Sequence, residues 1–166
     1  IGFADSDIFL QDFPVIQART TECQLIAEGK SYPIFAARPN LLQAAITPAE
    51  GLAGETVYAG KGDVPSYGRR YPQDKIVVLD FDSDSSWLHA FAFGARAVLF
   101  VGPADASTSM ARPAHHTNLP ANLPRFYVPF ETAKELDLTN PDRKGEIRIQ
   151  AACQWQEMRG RNVIAV

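Results

Sequence analysis

The sequence predicts an α+β domain rich in strands, and three stretches carry that reading. Lys75-Ile76-Val77-Val78-Leu79-Asp80-Phe81 and Ala97-Val98-Leu99-Phe100-Val101 are short apolar runs closed off by charged and turn residues, the pattern of strands covered on both faces. Between them Ser85 or Ser86 can cap a short helix whose apolar stripe runs Trp87, Phe91, Ala95, and Gly94 ends it, so the stretch makes one β-α-β unit. Toward the C-terminus Ile147, Ile149, Ala151, Cys153 and Trp155 alternate with Glu146, Arg148, Gln150, Gln154 and Gln156, a strand with one core face and one wet face.

The remaining elements follow in order. Strand formers from Val15 to Ala27 set Cys23, Leu25 and Ala27 on one side, Glu28-Gly29-Lys30 turns, and Tyr32 to Ala36 runs back, which predicts a hairpin. Gly60-Lys61-Gly62 reads as a turn, too short for a phosphate cradle. A long polar connection from Gly60 to Gln73 carries Lys61, Asp63, Tyr67, Arg69, Arg70 and Tyr71, and a second, proline-marked one joins Gly102 to Leu123. Such loops lie on the surface and often carry function. The expected core is Ile76, Val78, Leu79, Trp87, Phe91, Val98 and Phe100, with the Trp87, Phe91 and Phe93 grouping read as packing rather than a ligand box.

A length of 166 residues suits one domain with a self-sufficient core. The net charge of −3 is mild and no basic block follows a phosphate backbone, so nucleic acid is not an expected partner. No apolar run approaches bilayer length and no charged-then-apolar leader opens the chain at Ile1, so no membrane span is expected. Cys23 and Cys153 neither require a disulfide nor exclude one.

Catalytic constellations are sparse. His115-His116 is half of a metal site at most, since adjacent side chains in an extended segment point apart, and solvated loop histidines are the ordinary reading. His89 with Ser85 and Ser86 invites a triad, but no strained Gly-x-Ser-x-Gly elbow is present and capping explains the serines. Asp80, Asp82 and Asp84 are spaced as in a calcium loop. Ser85 replaces the glycine of its sixth position and Phe91 the glutamate of its twelfth, which leaves a looser calcium site or a plain helix start. The surface candidates are Tyr67, Arg69, Arg70 and Tyr71, because aromatic and arginine side chains dominate binding hot spots.

The β-α-β unit with its Gly94-Ala95 pair resembles the core of the protease-associated domain, a module of secreted and lumenal peptidases and sorting receptors. Gly54-Glu55-Thr56-Val57-Tyr58-Ala59-Gly60-Lys61-Gly62 is similar to that family's strand ending in a glycine-bracketed turn. Tyr71-Pro72-Gln73-Asp74-Lys75 is similar to the approach to its next strand, with Asp74 where glycine is usual. Leu123-Pro124-Arg125-Phe126-Tyr127-Val128-Pro129-Phe130-Glu131-Thr132-Ala133 is similar to its strand running into a helix. At the ends, Leu10-Gln11-Asp12-Phe13-Pro14-Val15 and Arg161-Asn162-Val163-Ile164-Ala165-Val166 resemble the strands by which a zinc aminopeptidase domain of the transferrin-receptor and glutamate carboxypeptidase group leaves and re-enters itself.

The resemblance implies an open barrel or sandwich with two or three short helices. It implies residues 1–32 as an incoming strand and hairpin, 33–136 as the protease-associated core, and 137–166 as strands leading toward a catalytic domain. The chain would then be no enzyme and need no cofactor, with zinc in the parent's catalytic domain. Its partners would be that domain and a polypeptide, and its place secreted or in the cell envelope or periplasm. The alternative is a lumenal peptide-binding domain of a sorting receptor or ligase. Binding is expected at 61–73 and 103–122, with Tyr67, Arg69, Arg70, Tyr71, His115 and His116 as candidates. An insert also requires the strands around Phe13 to Leu25 and Ile147 to Val163 to emerge together, antiparallel in the simplest case, bringing Cys23 toward Cys153.

Overall fold

A computed structural model describes residues 8–68, 70–103 and 115–165. Eight strands are β1 (Ile8–Ala27), β2 (Lys30–Pro33), β3 (Phe35–Ala36), β4 (Leu52–Tyr58), β5 (Ile76–Asp80), β6 (Ala97–Val101), β7 (Arg125–Val128) and β8 (Glu146–Ala165). Three short helices join them, α1 (Val64–Tyr67), α2 (Trp87–Ala92) and α3 (Phe130–Glu135). The chain divides into two compact units, 20–153 and a smaller one made of 1–19 with 154–166.

In the larger unit the strands form one mixed sheet in the order β2-β1-β8-β4-β5-β6-β7-β3. β4, β5, β6 and β7 run parallel to one another, as β-α-β crossovers demand, while β1/β2, β4/β8 and β3/β7 are antiparallel. The two ends of this order, β2 and β3, are separated in the chain by Ile34 alone. A sheet whose opposite edges are joined by one residue has to curl back on itself. Ile34 is 3% exposed, and its N–H reaches the Cys23 carbonyl while the Ala37 N–H reaches that of Arg125. The run from Tyr32 to Ala36, expected as a single returning strand, is thus split between two edges.

Strand alternation sorts the core into two layers. Ile76, Val78, Ala97, Leu99, Val101, Phe126 and Val128 share one cluster with Leu25, Ile147, Ile149, Ala133 of α3 and Leu136 just after it. The intervening residues Val77, Leu79, Val98, Phe100 and Tyr127 share the other with Trp87 and Ala90 of α2. The apolar runs are therefore continuous because both faces are covered. The hairpin forms as expected: Ala27 pairs with Lys30 across Glu28 and Gly29, both at positive φ (52° and 74°), the handedness that a two-residue hairpin turn requires.

Asp74 also has a positive φ, 61°, a left-handed conformation that aspartate tolerates better than most residues. Its N–H binds the carbonyl of Gly94, whose φ of 85° ends α2 and whose missing side chain leaves room for that of Gln73. Four expectations need correction. Ser86 precedes α2 without a side-chain cap, because Asp84–Ser86 is already a 3-10 turn and its backbone makes the first bonds. Phe93 is 38% exposed, since α2 ends at Ala92 before the stripe can turn it inward. Phe91, within α2, is only half-buried, packed at the margin of the Trp87 cluster with its ring edge-on to Trp87 at 5.9 Å. Trp155 is 43% exposed, the inward alternation of β8 holding through Ala151 and fading at Cys153.

β1 and β8 are neighbours in the sheet. In the larger unit Gln24 donates to Gln150. In the smaller unit the described residues of β1 and β8 lie side by side and run antiparallel, Asp12 bridging Arg159 and Arg161 at 2.8 and 2.7 Å, Gln11 meeting Asn162, and the Phe13 ring lying over Gly160. Cys23 and Cys153 are both thiols. Burial, then the charge of Glu22, pushes the Cys23 thiol up to about 12.

Arg125 is a fully buried cation on β7. Its Nε donates to the Leu123 carbonyl and Nη2 to that of Arg38, both at 2.9 Å, Nη1 donates to the His115 carbonyl, and the guanidinium sits 4.8 Å from the centre of the Trp87 ring. Burial lowers its pKa to about 10, so it stays charged at neutral pH. Arg125→Ala strands three carbonyls, and we expect a loss of about 3 kcal/mol or more in urea unfolding; a loss below about 1 kcal/mol would mean water replaces the guanidinium. Phe91→Ala, by contrast, is expected to cost about 1–3 kcal/mol, less than a fully buried phenylalanine would, by the same measurement.

Candidate functional site

β4 changes partners along its length. Leu52 to Glu55 pair with β8 and Thr56 to Tyr58 with β5, on opposite edges of the strand. Because β8 begins at Glu146, opposite Glu55, the rest of that edge of β4 faces the loop leading into β8. A cleft of about 700 Å³ opens there. Its lining comes from Glu55, Thr56 and Val57, from Arg70, Tyr71 and Lys75 of the connection before β5, and from Pro141, Asp142, Arg143, Lys144 and Gly145.

Arg143 is the fixed point of the cleft. Its Nε donates to the Leu136 carbonyl at 2.8 Å, and Nη1 donates to Thr56 Oγ1 at 2.9 Å and the Gly145 carbonyl at 3.0 Å. The loop that presents it is held by Asn140, whose side-chain oxygen accepts from the Asp142 N–H at 2.9 Å, the local turn that asparagine favours. Arg70 donates through Nη1 to the carbonyls of Tyr58 and Ser66 at 3.2 and 3.3 Å. Lys75 pairs with Glu55 at 2.8 Å and holds that carboxyl below its ordinary value. The lining carries four cations, Arg70, Lys75, Arg143 and Lys144, against two carboxylates, Glu55 and Asp142, a local positive excess in a chain of net charge −3. Beside Arg70, the Tyr58 hydroxyl donates to Asp80 at 2.8 Å, and burial followed by that bond pushes Tyr58 up to about 12.

Of the residues expected at a site, Arg70 and Tyr71 line the cleft, with Tyr71 76% exposed. Arg69 and the stretch 104–114 lie outside the described residues. Tyr67 is not a surface residue. Asp63 caps α1 by accepting from the Ser66 N–H, and this single turn carries the Tyr67 ring inward to 4% exposure, edge-on to Phe93 at 5.1 Å. Burial, then the charge of Asp63, raises the Tyr67 hydroxyl to about 12.

His115 is not a solvated loop residue either. It is 1% exposed, stacked on Phe100 at 3.8 Å, with Nδ1 3.2 Å from the Tyr127 hydroxyl, drawn in as its carbonyl binds Arg125. His116 is half-buried, and its Nδ1 is enclosed without a hydrogen-bond partner among the described residues. Asp80 is engaged by Tyr58 and Asp82 by Lys61 at 2.9 Å, while Asp84 lies in the 3-10 turn. Among the described residues no group of three or more histidine, cysteine, aspartate or glutamate side chains is arranged to hold a metal. His89 Nδ1 lies 3.0 Å from the Gly62 carbonyl oxygen. Sequence reasoning missed Thr56, Lys75, Arg143 and Lys144. The available signal was Pro141-Asp142-Arg143-Lys144-Gly145, a charged run bracketed by turn residues.

No family model and no curated protein matches the sequence. Solved structures resemble this chain in fold. An aminopeptidase from Aneurinibacillus sp. strain AM-1 superposes with a TM-score of 0.58 at 16% identity, over 95% of this chain and 37% of its own. A zinc aminopeptidase from Bacillus subtilis gives 0.63 at 16% identity over 93% and 36%, and a peptidase M28 precursor from Shewanella amazonensis SB2B gives 0.63 at 18% identity over 95% and 40%. The chain therefore has the fold of a part of these peptidases and spans less than half of the length of each.

The depressed Glu55 carboxyl stabilises the fold above the ordinary carboxylate value of 4.5, and that contribution is lost as pH falls through the folded value. In Lys75→Ala the Glu55 titration, followed by NMR of its side chain, is expected to move up toward 4.5. An unmoved titration would show that another group holds it.

Proposed function

We propose that the chain is a non-catalytic, protease-associated domain of a larger zinc aminopeptidase, which modulates substrate access or protein contact at the neighbouring catalytic domain. The observation that carries this reading is the likeness, over nearly all of this chain, to between 36% and 40% of peptidase chains. The physical means available to it is a rigid curled sheet presenting polar loops, with polypeptide as ligand and the parent's catalytic domain as partner. Zinc belongs to that catalytic domain. A secreted or envelope location accompanies the reading, and among the described residues no helix is long and apolar enough to cross a membrane.

The expected result for the chain alone is no hydrolysis of leucine p-nitroanilide or of aminoacyl esters, with or without added zinc or cobalt. Turnover lost on mutating His115 and His116 would overturn the non-catalytic assignment. In the longer gene product, replacing residues 20–153 by a short turn is expected to leave cleavage of the small anilide measurable while changing the preference among longer peptides. Unchanged selectivity across a peptide series would remove the accessory role.

A further inference from the structure

We propose that the cleft beside β4 receives a carboxylate of a polypeptide, with Arg143 and Thr56 meeting its oxygens and Arg70 and Lys144 adding positive field. This deepens the accessory-domain reading and rests on it for the class of ligand. Three bonds from Nε and Nη1 lock the Arg143 guanidinium, while its Nη2 has no bond among the described residues. A planar group held in place with one edge unspent is preorganised for a carboxylate, because no further side-chain freedom is lost on binding. The Thr56 hydroxyl accepts from Arg143, so its own proton remains to be donated; Thr56 is 8% exposed and β4 fixes its position.

The charge is placed to match. Lys75 is neutralised by Glu55, whereas Arg70 and Arg143 bond to carbonyl and hydroxyl oxygens and pair with no carboxylate among the described residues, leaving Arg70, Arg143 and Lys144 against the one remaining lining carboxylate, Asp142. Lys144 is exposed in the loop that carries Arg143. Cations converging from two segments far apart in sequence, around a cavity of about 700 Å³, suit a side chain and its flanking backbone better than a small inorganic ion. The exposed Tyr71 ring adds the apolar contact a peptide offers and phosphate does not.

The test is an NMR titration of this chain with four probes: an amidated alanine pentapeptide with a central glutamate, its glutamine counterpart, an alanine pentapeptide with a free C-terminus, and inorganic phosphate. The glutamate peptide or the free-C-terminus peptide is expected to shift the amides of Thr56, Lys144 and Gly145, and whichever does so identifies the carboxylate as side-chain or terminal. The glutamine peptide is expected to leave them in place. Raising salt toward 1 M should weaken the binding. Lys144→Glu, an exposed change, should weaken it by about fivefold with the rest of the spectrum retained, and Thr56→Val provides a second, uncharged variant. Equal shifts with glutamate and glutamine peptides, no shifts in the cleft, or displacement of the peptide by equimolar phosphate would overturn the assignment. Carboxylate-dependent shifts without any effect on selectivity in the longer gene product would defeat the accessory role alone. Altered selectivity with a silent cleft would defeat this proposal alone.

Discussion

A single buried charge holds the closing edge of the sheet. Moving a guanidinium out of water costs several kcal/mol even after relaxation, so Arg125 is tolerable only where its donors are met. Here they are met by backbone carbonyls from Leu123, His115 and Arg38, with the Trp87 ring over the cation, and among the described residues no carboxylate pairs with it. Those four contacts belong to the approach to β7, the middle of the connection between β6 and β7, the segment after β3, and α2. One side chain thus ties together these segments on the α2 side of the sheet, beside the stack of His115 on Phe100. Carbonyls suit this role better than a carboxylate would, because each is already fixed by its own backbone and loses no side-chain freedom in making the bond.

The same economy of backbone governs the cleft. β4 pairs with β8 on one edge and β5 on the other, and the two pairings hand over between Glu55 and Thr56. Where a strand loses one neighbour, its side chains need new partners, and the loop before β8 supplies Arg143 to the Thr56 hydroxyl. The cleft is thereby built on rigid strand at one side and charged loops at the other, the combination by which a scaffold presents a binding surface.

Much of the fold was legible because period and punctuation agree with burial. The runs at Ile76–Asp80 and Ala97–Val101, the stop at Gly94 and the turn at Glu28-Gly29 each follow from local chemistry that tertiary contacts do not override. The break at Ile34 was not legible, since nothing in Tyr32 to Ala36 says that its halves pair with strands on opposite edges. Tyr67 and His115 sit in polar stretches yet are buried, one turned by a four-residue helix signalled by Asp63 and Pro65, the other drawn in by an arginine that reads as an ordinary strand residue. Of the site, Arg70 and Tyr71 were visible as exposed arginine and aromatic residues. Arg143 was not, because its meaning depends on Thr56, distant in sequence and adjacent only in the fold.

The one-residue junction at Ile34 also bears on how the chain reaches this shape. The β1/β2 hairpin is local and can form quickly, whereas β3 must find β7 across most of the domain, after β4, β5 and β6 have assembled in parallel through long crossovers. Loop-closure entropy makes such distant pairings slow. The seam between β3 and β7, like the equally distant pairings of β8 with β4 and β1, therefore closes late, and until these form the chain exposes the edges of a sheet rich in valine, leucine and phenylalanine, surfaces on which a second molecule can add a strand.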